Sequence, residues 1–160
     1  MVTIRPATAG DLVGLPDLEA RADRLFETLG FGPLPAPGSV EDLAGALVVL
    51  VAGEPPRGFA RIDELAGGAH LEQLSVDPEH MHQGLGRALV RAACAWATEQ
   101  GHAELTLATY RDVPWNGPFY ASEGFSEWGA VDDWYAERGL GPEEPVMGRF
   151  GARVLMRRSL

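Results

Sequence analysis

Residues 69–100, AHLEQLSVDPEHMHQGLGRALVRAACAWATEQ, permit few folds because their hydrophobic period changes midway. Leu71 to Val76 alternates as a strand. Asp77-Pro78 ends it, since proline fixes φ and drives the residue before it toward extended geometry. From Leu85 the apolar residues Leu85, Leu89, Ala92 and Trp96 recur at helical spacing, with Arg87, Arg91 and Thr98 opposite. The helix therefore starts at about Gly84, and Gly101 is placed to cap its far end.

A helix start offers free backbone N–H groups, and glycines before it allow close approach, so this loop is suited to holding phosphate. A Rossmann fingerprint is excluded because Leu89 stands where the third glycine is needed; a Walker A loop is excluded because Gly-Lys-Ser/Thr is absent. Taken alone, Gly84-Leu85-Gly86 reads equally well as a plain strand-to-helix turn.

The surrounding residues sharpen the reading. Val76-Asp77-Pro78-Glu79-His80-Met81-His82-Gln83-Gly84-Leu85-Gly86-Arg87-Ala88-Leu89 resembles the central motif of the GNAT superfamily of acetyl-CoA-dependent N-acetyltransferases, Arg/Gln-x-x-Gly-x-Gly/Ala after a strand ending in Val-x-Pro. Phe119-Tyr120-Ala121-Ser122-Glu123-Gly124-Phe125 is similar to that family's Phe-Tyr-x-x-x-Gly-Phe segment, and Ile4-Arg5-Pro6-Ala7-Thr8 matches its opening more loosely. The resemblance covers residues 1–131. It implies an α/β (α+β) fold: a twisted, mostly antiparallel mixed sheet of about seven strands, flanked by helices and splayed at the central strand.

The resemblance also implies a division of labour. Loop residues Met81, His82, Gln83, Gly84, Leu85, Gly86 and Arg87 would hold the pyrophosphate of acetyl-CoA, the acetyl donor. The pantetheine arm would lie along backbone groups of Leu74, Ser75 and Val76, because a strand edge exposed by the splay can bond an extended ligand. Met81 departs from the Arg or Gln of the motif and His82 from a frequent Gly. The amides remain, and the missing side-chain contact falls to Gln83, Arg87 or His82. Tyr120 takes the family's role of general acid toward the departing thiolate. Asn116 is a possible further coenzyme contact, since Val113 stands where the family often has asparagine.

Glu72 is the candidate base on two grounds. Strand alternation puts it on the face of Leu74 and Val76, where apolar neighbours disfavour the charged form and suit it to take a proton. The family often carries its general base on this strand. The alternative is an ordinary ion pair with Arg61 on the neighbouring strand. His70 and His80 read as solvent-exposed, and no metal site is expected. Cys94 is the only cysteine, which rules out an intrachain disulfide; half a turn from the Leu85–Trp96 stripe, it reads as packing against some other element.

Along the chain, Val2 to Ala7 predicts a first strand, followed by a turn at Thr8 to Asp11. Leu18, Ala22, Leu25 and Leu29 predict a helix with Pro16 in its first turn. Phe31 to Gly38 is too rich in proline and glycine for regular structure, and by resemblance borders the acceptor site. Ser39 and Asp42 form a capping box for a short helix toward Ala46. Leu47 to Ala52 and Gly58 to Leu65 predict strands around the Gly53-Glu54-Pro55-Pro56 turn. Ala103 to Thr109, Phe125 to Val131 and Arg153 to Arg157 are further strands, with a short helix capped by Asn116 between the first two. The excursion from Asp132 to Pro145 reads as a loop whose acids and aromatics could cage a cationic amine.

Composition narrows the function classes. The 160 residues suit a single domain, residues 1–160, with 46% apolar and 22% charged side chains. The 13 basic against 23 acidic residues, net −10, disfavour nucleic acid and favour cationic partners. No apolar run reaches the roughly 20 residues of a membrane span and no leader pattern opens the chain, so a cytoplasmic location without membrane attachment is expected. The expectation is an N-acetyltransferase acting on a small-molecule primary amine, as monomer or homodimer. The alternatives are a protein N-terminal or lysine acetyltransferase and a non-catalytic acyl-CoA-binding sensor.

Overall fold

The computed structural model describes residues 2–31, 34–141 and 151–160. Strand β1 (Ile4–Pro6) leads into Thr8, which forms a reciprocal cap with Asp11 and starts a one-turn helix, α1 (Ala9–Leu12), where the sequence predicts only a turn. Arg5 Nη1 reaches Asp11 Oδ2 at 2.6 Å and fastens that cap to β1. Helix α2 (Leu15–Thr28) carries Pro16 in its first turn, where a missing N–H costs nothing. The predicted capping box of Ser39 and Asp42 opens α3 (Val40–Ala44).

Strands β2 (Val48–Ala52), β3 (Gly58–Leu65) and β4 (Gly68–Val76) follow as an antiparallel meander. After a 3-10 turn at Pro78–His80 come α4 (Leu85–Glu99), β5 (Glu104–Tyr110), α5 (Gly117–Ser122), β6 (Ser126–Ala130), α6 (Val131–Glu137) and β7 (Arg153–Ser159). Helix α6 occupies part of the excursion predicted as loop. The remainder, 142–150, lies outside the described residues, as do residues 32–33 of the proline-rich connector.

The strands lie in the order β1-β2-β3-β4-β5-β7-β6. Every neighbouring pair is antiparallel except β4 and β5, whose parallel ladder holds only at Ala69↔Leu105 and His70↔Thr106. Beyond His70 the two strands part, the predicted splay.

Alternate residues of β2 serve opposite layers, as a two-residue period requires. Leu50 and Ala52 join Ile62, Leu71, Leu85, Leu89, Val90 and Ala93 beneath α4. Val49 and Val51 pack with Phe59 against Leu15, Leu18 and Leu43 on the other face. Cys94, 5% exposed, belongs to the α4 layer after all: the small residues Ala93 and Ala97 let the sheet cover a wider arc of the helix than the Leu85–Trp96 stripe suggests. Burial raises its thiol pKa, as expected of a packing residue.

The alternation of β4 breaks once. Arg61 pairs with Gln73 but Ile62 with Leu71, so the register shifts at Glu72, which takes the place of the extra residue in a bulge. Leu71, Leu74 and Val76 all reach the α4 layer, whereas the Glu72 side chain is 44% exposed. Placing Glu72 among apolar neighbours on the face of Leu74 and Val76 is thereby corrected, because one extra residue shifts the phase of everything before it.

Candidate active site

The end of β4 is anchored before the loop begins. Asp77 accepts Arg21 Nη2 at 2.6 Å and the Glu79 N–H at 3.1 Å. His82 (φ +60°) and Gly84 (φ +78°) then carry the chain through left-handed backbone into α4. Among the described residues the N–H groups of 82–87 donate to no protein acceptor; Ala88 is the first that does, to Gly84 O at 3.0 Å. A cluster of unused donors at the positive end of a 15-residue helix is an anion site by construction.

Met81, His82, Gln83, Gly84, Leu85, Gly86 and Arg87 thus sit in one loop, but the Arg87 side chain is drawn away from it. Its guanidinium pairs with Glu123 and lies 5.5 Å over the Phe119 ring. Arg91 Nε joins the same carboxylate at 2.9 Å. Of the three side chains proposed to replace the motif's first residue, Arg87 is therefore committed to α5.

Where β4 and β5 part, a cleft of about 520 Å³ opens between Leu71–Leu74 and Leu107–Tyr110, roofed by α2 and reached by Leu34, Pro35, Ala36 and Gly38 of the connector. Leu74 lines it, and Ser75 and Val76 continue toward the loop. A methyl group on Gly86 would stand 3.9 Å from both Val76 Cγ2 and Phe119 Cζ, so the loop and cleft meet along the end of β4. Asn116 takes the N-cap position of α5 but its side chain makes no capping bond, contrary to expectation; its carbonyl accepts the Tyr120 N–H at 2.9 Å. Tyr120, 9% exposed, is wedged edge-on between Phe119 and Phe125 and lines the cleft. Burial raises the phenol's pKa, which keeps its proton in place at neutral pH.

The opposite end of the cleft is acidic. Glu72 lines it together with Glu19 and Asp23 of α2. Glu19 is 8% exposed and accepts the Gly38 N–H at 3.1 Å. Burial, aided by the charge of Asp23, pushes its pKa to about 7. Burial and Glu27 push Asp23 to about 6. Arg61 does not neutralise them outright: it is held in a two-pronged pair by Asp63, at 2.8 and 2.7 Å, which also sets aside the simple Glu72–Arg61 ion pair.

Both histidine expectations are corrected. His70 is 2% exposed, hydrogen-bonded through Nδ1 to Thr106 Oγ1 at 2.8 Å and stacked on Trp134. His80 is half-buried, and its Nδ1 has no hydrogen-bond partner among the described residues. Within the described part of the excursion expected to cage an amine, Arg138 already lies 4.5 Å over the Trp134 ring. Sequence reading missed Glu19, Asp23 and His70. Glu19 recurs with Ala22 and Asp23 on one face of the α2 pattern, the one signal that could have pointed to it.

Residues 44–127, just over half of the chain, match the GNAT acetyltransferase domain family. The PaiA N-acetyltransferase of Thermoplasma acidophilum, solved with coenzyme A, superposes with a TM-score of 0.73 at 20% identity, covering 100% of this chain and 99% of that one. The ribosomal-protein-S18-alanine N-acetyltransferase of Escherichia coli gives 0.66 at 23% identity, over 99% and 94%. A GNAT family acetyltransferase of Elizabethkingia anophelis with acetyl-CoA bound gives 0.63 at 17% identity, over 99% and 98%. With the parted strands, the open amide loop and the Phe-Tyr segment in their places, this chain belongs to the GNAT family of acetyltransferases.

Proposed function

We propose that the protein moves an acetyl group from acetyl-CoA to a primary amine of a small molecule, by direct attack with both substrates bound. The observation that carries this reading is the set of uncommitted N–H groups at 82–87 beside a cleft opened by strand separation. The residues fit a coenzyme with an anionic diphosphate and an extended arm: amides for the first, the Leu74–Val76 edge for the second. Solved neighbours that hold coenzyme A or acetyl-CoA support the same ligand here.

The acetylated coenzyme supplies an activated thioester; the chain supplies position and protons. Glu72, through water, takes the proton that the amine must lose before it can attack. Backbone N–H groups on the Leu74–Val76 edge face the carbonyl oxygen, where negative charge develops. Tyr120 delivers its proton to the leaving sulfur. Asp23 and Glu72 give the acceptor end a negative field that concentrates cationic amines, to which Glu19 adds as it ionises around pH 7.

A thiol-release screen over polyamines, aminoglycosides, amino acids and peptides tests the reading. The expected result is turnover with a small amine, lowered about 100-fold in Glu72→Gln while coenzyme A affinity holds. Turnover confined to peptides would move the acceptor class to protein N-termini or lysines. Coenzyme A binding without turnover on any amine would leave an acyl-CoA sensor.

A further inference from the structure

The connector uses one half of a buried carboxyl group and leaves the other half to the cleft. Glu19 is 8% exposed, and its Oε2 accepts the Gly38 N–H at 3.1 Å. Its Oε1 takes no hydrogen bond among the described residues, but it is not walled in. The side chain lines the cleft, so the space that Oε1 meets is the cleft. A protonated carboxyl carries its hydrogen on one oxygen and accepts best with the other. Because Oε2 is the acceptor for Gly38, the hydrogen belongs on Oε1. That single oxygen holds either a proton or the N–H of something entering the cleft, and not both.

The surroundings favour a cation as that newcomer. Asp23 lies one turn further along α2 and Glu72 acts on Glu19 from β4; Arg61 of β3 opposes them, with its guanidinium already paired to Asp63. Among the described residues, Arg153, His70 and three tyrosines complete the titratable lining of the cleft. Phe26, Leu34, Pro35 and Ala36 supply apolar wall for the hydrocarbon part of a small amine. An ammonium gains a charge-assisted bond from a carboxylate, about twice as strong as the bond a neutral donor would gain.

We propose that the ammonium group of the acceptor docks on Glu19 Oε1 by displacing the proton held there, which makes Glu19 a substrate-binding residue and acceptor binding a proton-releasing step. The inference deepens the acetyl-transfer reading above and rests on it. The exchange balances: the carboxylic O–H bond breaks, its proton leaves to solvent, and the carboxylate left behind accepts an N–H of the cation. No bond to nitrogen is made or broken at this stage. Burial and the charge of Asp23 support the exchange by holding Glu19 at about 7, so that about half the molecules carry the displaceable proton at neutral pH.

Titration calorimetry tests this on the full chain loaded with coenzyme A, with n-butylamine as the probe. Comparing buffers of different ionisation heat, binding is expected to release about half a proton per amine at pH 7 and close to none at pH 9. Glu19→Gln keeps an oxygen for the Gly38 N–H, so the connector stays in place. In that variant the release at pH 7 is expected to vanish and the affinity at pH 8 to fall at least about 10-fold. Asp23→Asn withdraws a charge that raises Glu19, and is expected to reduce the release without abolishing it. n-Butyltrimethylammonium, equally charged but without an N–H, is expected to bind at least about 10-fold more weakly than n-butylamine. An unchanged proton count in Glu19→Gln, equal binding of the two cations, or no heat with n-butylamine overturns the proposal. Failure of coenzyme A to bind, or of any amine to release thiol from acetyl-CoA, would instead overturn the parent reading; the proton count needs no turnover and is still read on the unloaded chain.

Discussion

The Gly38 N–H donates to Glu19 Oε2 at 3.1 Å, so the proline-rich connector folds over α2 and seals a carboxyl group that would otherwise face solvent. Folding raises this group from 4.5 to about 7, which means the native state holds a proton that the unfolded chain releases. Stability should therefore be full below pH 4.5 as far as this group is concerned and fall as pH rises toward 7, by at most about 3 kcal/mol. In Glu19→Gln, urea unfolding at pH 5 and pH 8 should differ by less than in the parent. An equal pH slope in both proteins would contradict the assignment.

Glu123 is buried as well, but its pKa moves the other way. Arg91 and Arg87 hold it ionised against the cost of burial. This contribution is present above the unfolded carboxyl range and is lost as acid protonates the group. Removing one partner of a buried pair costs about 3–5 kcal/mol when a charge is stranded inside. Here the arginines that remain are 44% and 66% exposed and stay hydrated. Glu123→Gln should thus cost only about 1–2 kcal/mol. Thermal unfolding at pH 7 checks this, and because Arg87 is freed toward the loop, coenzyme A affinity should hold or rise.

The capping boxes, the meander from β2 to β4 and the period of α4 were legible in the sequence because each is decided within a few residues. The bulge at Glu72 was not: LEQLSV alternates acceptably in either phase, and only pairing with Arg61 and Ile62 settles which side chains reach the α4 layer. His70 looked exposed because the groups that bury it, Thr106 and Trp134, lie on other elements far along the chain. Glu19 sat on a legible helix, but the connector that covers it comes from later in the chain, and the charge that further raises its pKa comes from Asp23. For the candidate site, backbone features and motif residues were readable, whereas the electrostatics, being made of long-range contacts, were not.

The two motif glycines should respond differently to alanine. Gly84 has φ +78° and open space within 4 Å of where a methyl group would sit, so the cost is backbone strain alone, about 1 kcal/mol. Relief of that strain would turn the amides of 84–87, and coenzyme A affinity should fall several-fold. Gly86 has no such φ, and its added methyl would meet Val76 and Phe119 at ordinary contact distance. Gly86→Ala should leave the melting temperature within a degree or two. Differential scanning calorimetry and titration calorimetry with coenzyme A on both variants separate the effects.

Tyr120→Phe isolates proton delivery from packing. The ring makes its edge-on contacts with Phe119 and Phe125 through carbon, and the hydroxyl has no hydrogen-bond partner among the described residues. Loss of the oxygen should therefore cost under about 1 kcal/mol of stability. The proposed chemistry predicts a much larger effect on rate, since a positioned acid contributes about 100-fold or more. The raised phenol pKa means that the parent enzyme keeps this acid protonated through pH 9, so its activity should not fall on that account between pH 7 and 9. Turnover in Tyr120→Phe should drop at every pH in that range with the Michaelis constant for acetyl-CoA little changed. If the rate holds, sulfur takes its proton from solvent, and Tyr120 serves the fold alone.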